Sequence, residues 1–161
     1  MNRRKCQNLG FTLLEVMVVV ALIGIIGAIV FSRLQNIQAD LIGQTAAIKA
    51  HLRYAQARSM NSDSIWGIRF ASNIYWLFNN GDINQHVVLP GADSDPIDLT
   101  ALGITIAQGG SGSFTVAFDD LGRPSSDPDG DPISGTDLIL AVGKGSENLN
   151  LTVTANTGFI P

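Results

Sequence analysis

Cysteine occurs once in the 161 residues, as Cys6, so the chain cannot close a disulfide within itself. Histidine is almost as scarce. His51 and His86 stand in no metal-ligand spacing with one another, and they build neither a zinc centre nor a Cys-His nucleophile pair. A phosphate loop is missing too: Gly143-Lys144-Gly145-Ser146 lacks the rest of the G-x-x-x-x-G-K-[ST] pattern, and Gly109-Gly110-Ser111-Gly112 precedes no helix. Cations are few, 10 Lys and Arg against 14 Asp and Glu, and none lies in the tail Ala155–Pro161. Phosphate backbones are held by clustered cations, so no nucleic-acid partner is expected. These shortages leave catalysis without support and point to a structural or binding role.

Charge is also missing from the longest apolar run. Between Phe11 and Ser32 the only ionisable side chain is Glu15, and Val16 to Gly27 is built from Val, Met, Ala, Leu, Ile and Gly alone. At about 1.5 Å per residue the run is long enough to cross a bilayer, so residues 11–33 are expected to form a transmembrane helix. Arg3, Arg4 and Lys5 precede it, and the positive-inside bias puts residues 1–10 in the cytoplasm and the chain beyond Arg33 outside. A secretory signal would end in an Ala-x-Ala-like cleavage site; Ile29-Val30-Phe31-Ser32 offers none, so the helix is expected to be retained. Gly24 and Gly27 either permit close helix contact or reflect the general frequency of Gly in membrane helices. A carboxylate within lipid costs about 2.5 kcal/mol or more at a helix centre unless a proton or cation neutralises it. Glu15 therefore needs a reason.

The string from Lys5 to Glu15, with Gly10-Phe11-Thr12-Leu13-Leu14-Glu15 at its centre, resembles the prepilin signal of type IV pilins and type II secretion pseudopilins. The resemblance implies that a prepilin peptidase cuts between Gly10 and Phe11, that the new amino group of Phe11 is methylated, and that Glu15 serves assembly. It implies loss of the leader 1–10 with Cys6, Arg3, Arg4 and Lys5, which moves the net charge from -4 to about -7. Cutting would create a cation four residues from Glu15 on the same helical face. The free amine points along its own helix axis, so the pairing expected is between staggered subunits. Many members of the family carry a helix-breaking Pro where this chain has Ser32, so here the helix is free to continue unkinked.

Beyond the membrane the helix is expected to run to about Met60, because Leu34, Ile37, Leu41, Ile48, Leu52 and Ala55 form one apolar stripe while Arg33, Gln38, Asp40, Lys49, Arg53 and Arg58 fall mostly elsewhere. Short β-rich runs follow at Ile65–Phe70, Ile74–Phe78, His86–Leu89, Gly103–Ala107, Ser113–Phe118, Asp137–Val142 and Asn148–Thr154, separated by turn residues. Trp66, Phe70, Tyr75, Trp76 and Phe78 are expected to face the core or the helix. The fold class expected is α+β and pilin-like: a long N-terminal helix, transmembrane then amphipathic, packed on an antiparallel sheet. Its parts are a leader 1–10, an assembly segment 11–33, and a periplasmic domain 34–161 that includes the second half of the helix.

Leu52 and Ala55 to Ser59, Gly67-Ile68-Arg69-Phe70, Phe118-Asp119-Asp120-Leu121-Gly122-Arg123-Pro124 and Thr157-Gly158 resemble, in that order, H-type minor pseudopilins and FimT-like minor pilins. The resemblance implies a non-enzymatic filament subunit of the bacterial inner membrane and periplasm, acting in type II secretion. A FimT-like or mannose-sensitive haemagglutinin-type minor pilin is the alternative. Its partners would be other pilin or pseudopilin subunits, prepilin peptidase and inner-membrane lipid. No cofactor is expected except calcium: Asp127, Asp129 and Asp131 alternate around Gly130 like the start of a calcium loop, although Leu138 stands where an EF-hand has Glu. A solvated Pro/Asp/Gly turn is the plain alternative. A membrane-tethered module binding calcium or another ligand is the remaining functional class.

Overall fold

The computed structural model describes residues 12–133 and 135–161, with the side chains of residues 30–37 outside that description. The chain divides into two compact units, Met1–Ile37 and Gln38–Pro161. One helix, α1 (Leu13–Met60), contributes to both.

In the first unit α1 starts because Thr12 caps it. The Thr12 hydroxyl accepts from the Glu15 N–H at 3.3 Å, and the Thr12 carbonyl accepts from the N–H groups of Glu15 and Val16 at 3.1 and 3.3 Å. These bonds satisfy donors that a helix start otherwise leaves open. From Leu13 to Ile29 every side chain is exposed, and Cβ atoms added at Gly24 and Gly27 would meet nothing within 4 Å. Among the described residues no helix is long and apolar enough to cross a membrane. The expected span 11–33 runs past that description at both ends, since Phe11 and the side chains from Val30 onward lie outside it.

In the second unit α1 behaves as its stripe predicts. Leu41, Ile48, Leu52 and Ala55 are buried, at spacings of seven, four and three; Leu34 and Ile37 of the same stripe lie outside the described side chains. The helix stops where side chains take over its last carbonyls: Asn61 Nδ2 donates to Ala57 O at 2.6 Å and Ser62 Oγ to Arg58 O at 2.8 Å. Buried Ser59 joins the helix end to the sheet, donating to Phe118 O at 2.6 Å and accepting from Trp66 N–H at 2.8 Å.

Two antiparallel sheets complete this unit, where one was expected. The first contains β1 (Trp66–Ala71), β2 (Ile74–Asn79), β3 (Asp82–Val87), the two-residue β4 (Ile97–Asp98), β6 (Ser113–Phe118) and the two-residue β7 (Pro124–Ser125). Its order is β3-β2-β1-β6-β7, with β4 also paired to β2. The second holds β5 (Ile104–Gln108), β8 (Leu138–Lys144) and β9 (Glu147–Val153), in the order β5-β8-β9. Gln108 and Ser111 exchange backbone hydrogen bonds of 2.9 Å around Gly109-Gly110, and this turn carries the chain from one sheet to the other. Gly145-Ser146 is the β8–β9 hairpin turn, with Gly145 at φ 64, which accounts for the sequence that superficially suggested a phosphate loop.

Inward positions of both sheets meet the helix in one core that contains Ile68, Phe70, Leu77, Val116, Phe118, Ile106, Leu140 and Val142. Phe70 stacks on Phe114 at 4.7 Å and on Tyr75 at 5.6 Å. The strand expected at His86–Leu89 lies instead at Asp82–Val87. As a largely exposed edge strand it has no apolar alternation to announce it, while Leu89 is buried in the core outside any strand. Trp76 also departs from expectation. It alternates away from the core, stacks on His86 at 4.7 Å and donates Nε1–H to Ile83 O at 2.7 Å, half-buried on the other face.

Candidate functional site

Gly10 and Phe11, the residues of the expected cleavage, lie outside the described residues. Glu15 is described. It is the third residue of α1, exposed, and the only acid of the first turn. The spacing Thr12-x-x-Glu15 is that of a capping box, and the positive end of the helix dipole favours a carboxylate there. The structure forms the Thr12 half of that box, a signal that was present in the sequence as T-x-x-E. Around it the large apolar side chains from Leu13 to Ile29 are 46% to 74% exposed. Such a surface, apolar on every side, is unsatisfied until lipid or other helices cover it.

Asp127, Asp129 and Asp131 lie in the turn that follows β7. Asp127 Oδ1 accepts from Asp129 N–H at 3.2 Å, and Ser125 Oγ accepts from Asp127 N–H at 2.9 Å, so the segment is a self-bonded turn. Gly130 has φ 79, and a Cβ there would stand 2.9 Å from Ile65 Cδ1; a Cβ on Gly81 would stand 3.1 Å from Pro128 O. The turn therefore packs against Ile65 and the β2–β3 turn. Asp129 lines a cavity of about 370 Å³ with Asp63, Asp119 and Asp120, not with Asp127 or Asp131. Among the described residues no group of three or more His, Cys, Asp and Glu side chains is placed to hold a metal ion.

The structure gathers segments that are far apart in the chain into a clasp that sequence reasoning noted only as separate strings. Gln56 Nε2 of α1 donates toward Gly122 O at 2.8 Å, Gly158 O at 3.1 Å and Thr157 O at 3.3 Å. Gly122 and Gly158 have φ 77 and 62, and a Cβ on Gly158 would collide with Gly122 O. Asp119, buried, sets the first of these loops: it accepts from Arg123 Nε at 2.7 Å and from the N–H groups of Arg123 and Leu121 at 2.7 and 3.1 Å. Arg53 Nη2 donates to Ile160 O at 2.6 Å and ties down the end of the same segment.

His51 and Tyr75 form another internal polar contact, with Nδ1 and Oη 3.0 Å apart between α1 and β2. Burial pushes the imidazole below its usual range and the phenol well above its own. Burial thus favours the uncharged form of both groups. His86 sits 3.6 Å from Asp95 on the surface.

Against these geometries one comparison finds a counterpart. A family model described as the prokaryotic N-terminal methylation motif matches residues 6–31. No match is found among curated proteins or among solved structures. The match supports likeness to type IV pilin-like subunits over this N-terminal stretch, with its prepilin-type cleavage and methylation signal, and points to a structural subunit.

Proposed function

We propose that this chain is a minor pseudopilin, the H-type subunit of a type II secretion filament or its tip. In this reading prepilin peptidase cuts between Gly10 and Phe11 at the cytoplasmic face, Phe11 is methylated, and the domain after Arg33 lies in the periplasm. Single-pass helices wait in the inner membrane until a neighbour's Phe11 amine meets Glu15 and sets the register. The apolar surface Leu13–Ile29 then exchanges lipid for neighbouring helices. The observation that carries the reading is the motif match over residues 6–31, a stretch whose apolar side chains from Leu13 to Ile29 are exposed.

Support for the H-type branch comes from the clasp. The strings that resemble that branch, Ala55 to Ser59, Asp119 to Arg123 and Thr157-Gly158, converge on Gln56, although they are about a hundred residues apart at the extremes. The uncharged tail Ala155–Pro161 gives no support to nucleic-acid binding.

The test compares wild type with Glu15→Ala in the native host, following leader cleavage by mass and incorporation by crosslinking to other filament subunits. Cleavage without incorporation in Glu15→Ala is the expected result. Wild type left uncut after Gly10 and crosslinked to no pilin-like chain would overturn the reading in favour of a tethered binding module.

A further inference from the structure

Asn80-Gly81 is the only Asn-Gly pair in the 161 residues. It forms the two-residue turn between β2 and β3, with Asn79 opposite Asp82, and both turn residues have positive φ, 54 for Asn80 and 72 for Gly81. Asn-Gly favours this turn in a hairpin because its backbone follows the twist of the strands. Asn80 is exposed, and the main-chain nitrogen that follows it belongs to a glycine, so no neighbouring side chain screens the carboxamide carbon from it. Asn61, which precedes Ser62, is placed differently: its Nδ2 is tied to Ala57 O at 2.6 Å.

We propose that Asn80 is a self-modification site, converted to aspartate and isoaspartate by its own backbone, and that the β2–β3 turn and the loop packed on it set the rate. The Gly81 nitrogen, losing its proton to solvent, attacks Asn80 Cγ. The bond from Cγ to the side-chain nitrogen breaks, ammonia leaves and a five-membered imide remains. Water then opens the ring at either carbonyl. The main chain is left running through the α-carbonyl, as aspartate, or through the former side-chain carbonyl, as isoaspartate. Water is consumed and ammonia released, with no oxidation or reduction.

The fold opposes ring closure. A hairpin turn of this kind holds its first residue at a ψ of about 30°, and Asn80 must rotate out of that well before the Gly81 nitrogen can reach Cγ. Gly81 is hemmed in as well. A Cβ there would stand 3.1 Å from Pro128 O and 3.6 Å from Asp129 Oδ1, so the turn lies against the 127–131 loop, in which Asp127 Oδ1 accepts from Asp129 N–H at 3.2 Å. Reaction therefore requires the hairpin tip to leave that loop in a local opening. The edge strand β3, exposed over most of its length, permits such an opening. Isoaspartate adds a carbon to the main chain at a turn whose length sets the register, and either product adds a carboxylate to a turn that already faces Asp129. Modification thus loosens β3.

The experiment incubates the full chain in detergent micelles at neutral pH beside the isolated peptide 76–86, and follows conversion of carboxamide to carboxylate at each Asn by digestion and mass spectrometry. The expected result is modification at Asn80 and not at Asn61, about tenfold or more slower in the folded chain than in the peptide. Asp127→Ala, checked for unchanged circular dichroism, should speed it severalfold, and so should urea below the unfolding transition of the wild type. Amide exchange in residues 82–87 should be severalfold faster in the modified fraction. Asn80 left intact in the folded chain while the peptide reacts to completion, a folded rate equal to that of the peptide, or a rate indifferent to both Asp127→Ala and urea would overturn the proposal. None of these outcomes bears on Glu15, so this site and the assembly mechanism fail independently.

Discussion

The two halves of α1 are both rich in apolar residues and meet opposite fates. From Leu13 to Ile29 the apolar residues occupy every face and remain exposed; from Leu41 to Ala55 they occupy one stripe, which is buried. A stripe can be satisfied by a single sheet, but a helix apolar on all sides needs a surrounding medium. Polar residues at the two ends follow the same division. Ser59 is buried with both of its hydrogen bonds made inside the domain, while Glu15 is exposed and has only its backbone N–H bonded locally, to Thr12. The second half of the helix completes a fold, and the first half keeps its apolar side chains exposed from Leu13 to Ile29.

Substitutions that are alike in chemistry should therefore separate the halves. Leu52→Ala should cost about 2–5 kcal/mol of domain stability, from lost burial plus a cavity. Leu22→Ala should leave thermal unfolding of the domain unchanged and instead lower crosslinked incorporation. Equal loss of unfolding temperature in both would break the comparison. Next in size is the clasp. Gly158→Ala places a Cβ against Gly122 O at a positive φ and should cost about 1–3 kcal/mol. Gln56→Ala, which leaves buried carbonyls with fewer donors, should cost about 1 kcal/mol. Denaturant melts with an unchanged slope would check both, and neutrality of Gly158→Ala would mean that the clasp is not closed in solution.

The smallest expected effect is one of pH. Burial lowers the His51 pKa in the folded chain, whereas the unfolded chain titrates near about 6.5. The unfolded state then takes up the proton first, so this contribution is complete above about pH 6.5 and is lost as pH falls toward the folded value. The unfolding temperature should drop between pH 7.5 and 5.0, and His51→Gln should flatten that drop. Asp98, held below the usual carboxylate range by hydrogen bonds from Thr100, likewise loses its contribution as pH falls, but only below about pH 4, outside this window. A wild-type profile as flat as that of His51→Gln would show that the His51–Tyr75 contact is absent in solution.

The elements with strong periodicity were legible in the chain. The end of α1 at Met60, its buried stripe, and strands such as β6 (Ser113–Phe118) follow from repeats of 3.6 and 2.0 residues set against turn residues. The edge strand β3 and the two-residue β4 and β7 were not, because exposed or very short strands bury too little to impose alternation. For the candidate site, the motif around Gly10, Phe11 and Glu15 was readable because it is local, and the methylation-motif match over residues 6–31 covers the same stretch. The clasp was visible only as scattered strings, because spacing along the chain says nothing of which distant segments meet.

From residue order alone came the apolar segment, the basic stretch before it, the placement of Glu15 one turn inside, and the α+β class, since each rests on neighbours within a few residues along the chain. Folding in three dimensions settled the rest: the division into two sheets, the meeting of Gln56 with Gly122 and Gly158, and the contact of His51 with Tyr75. These depend on contacts between residues distant in the chain, and the free energy of such contacts is fixed by burial and shape complementarity that no local pattern encodes.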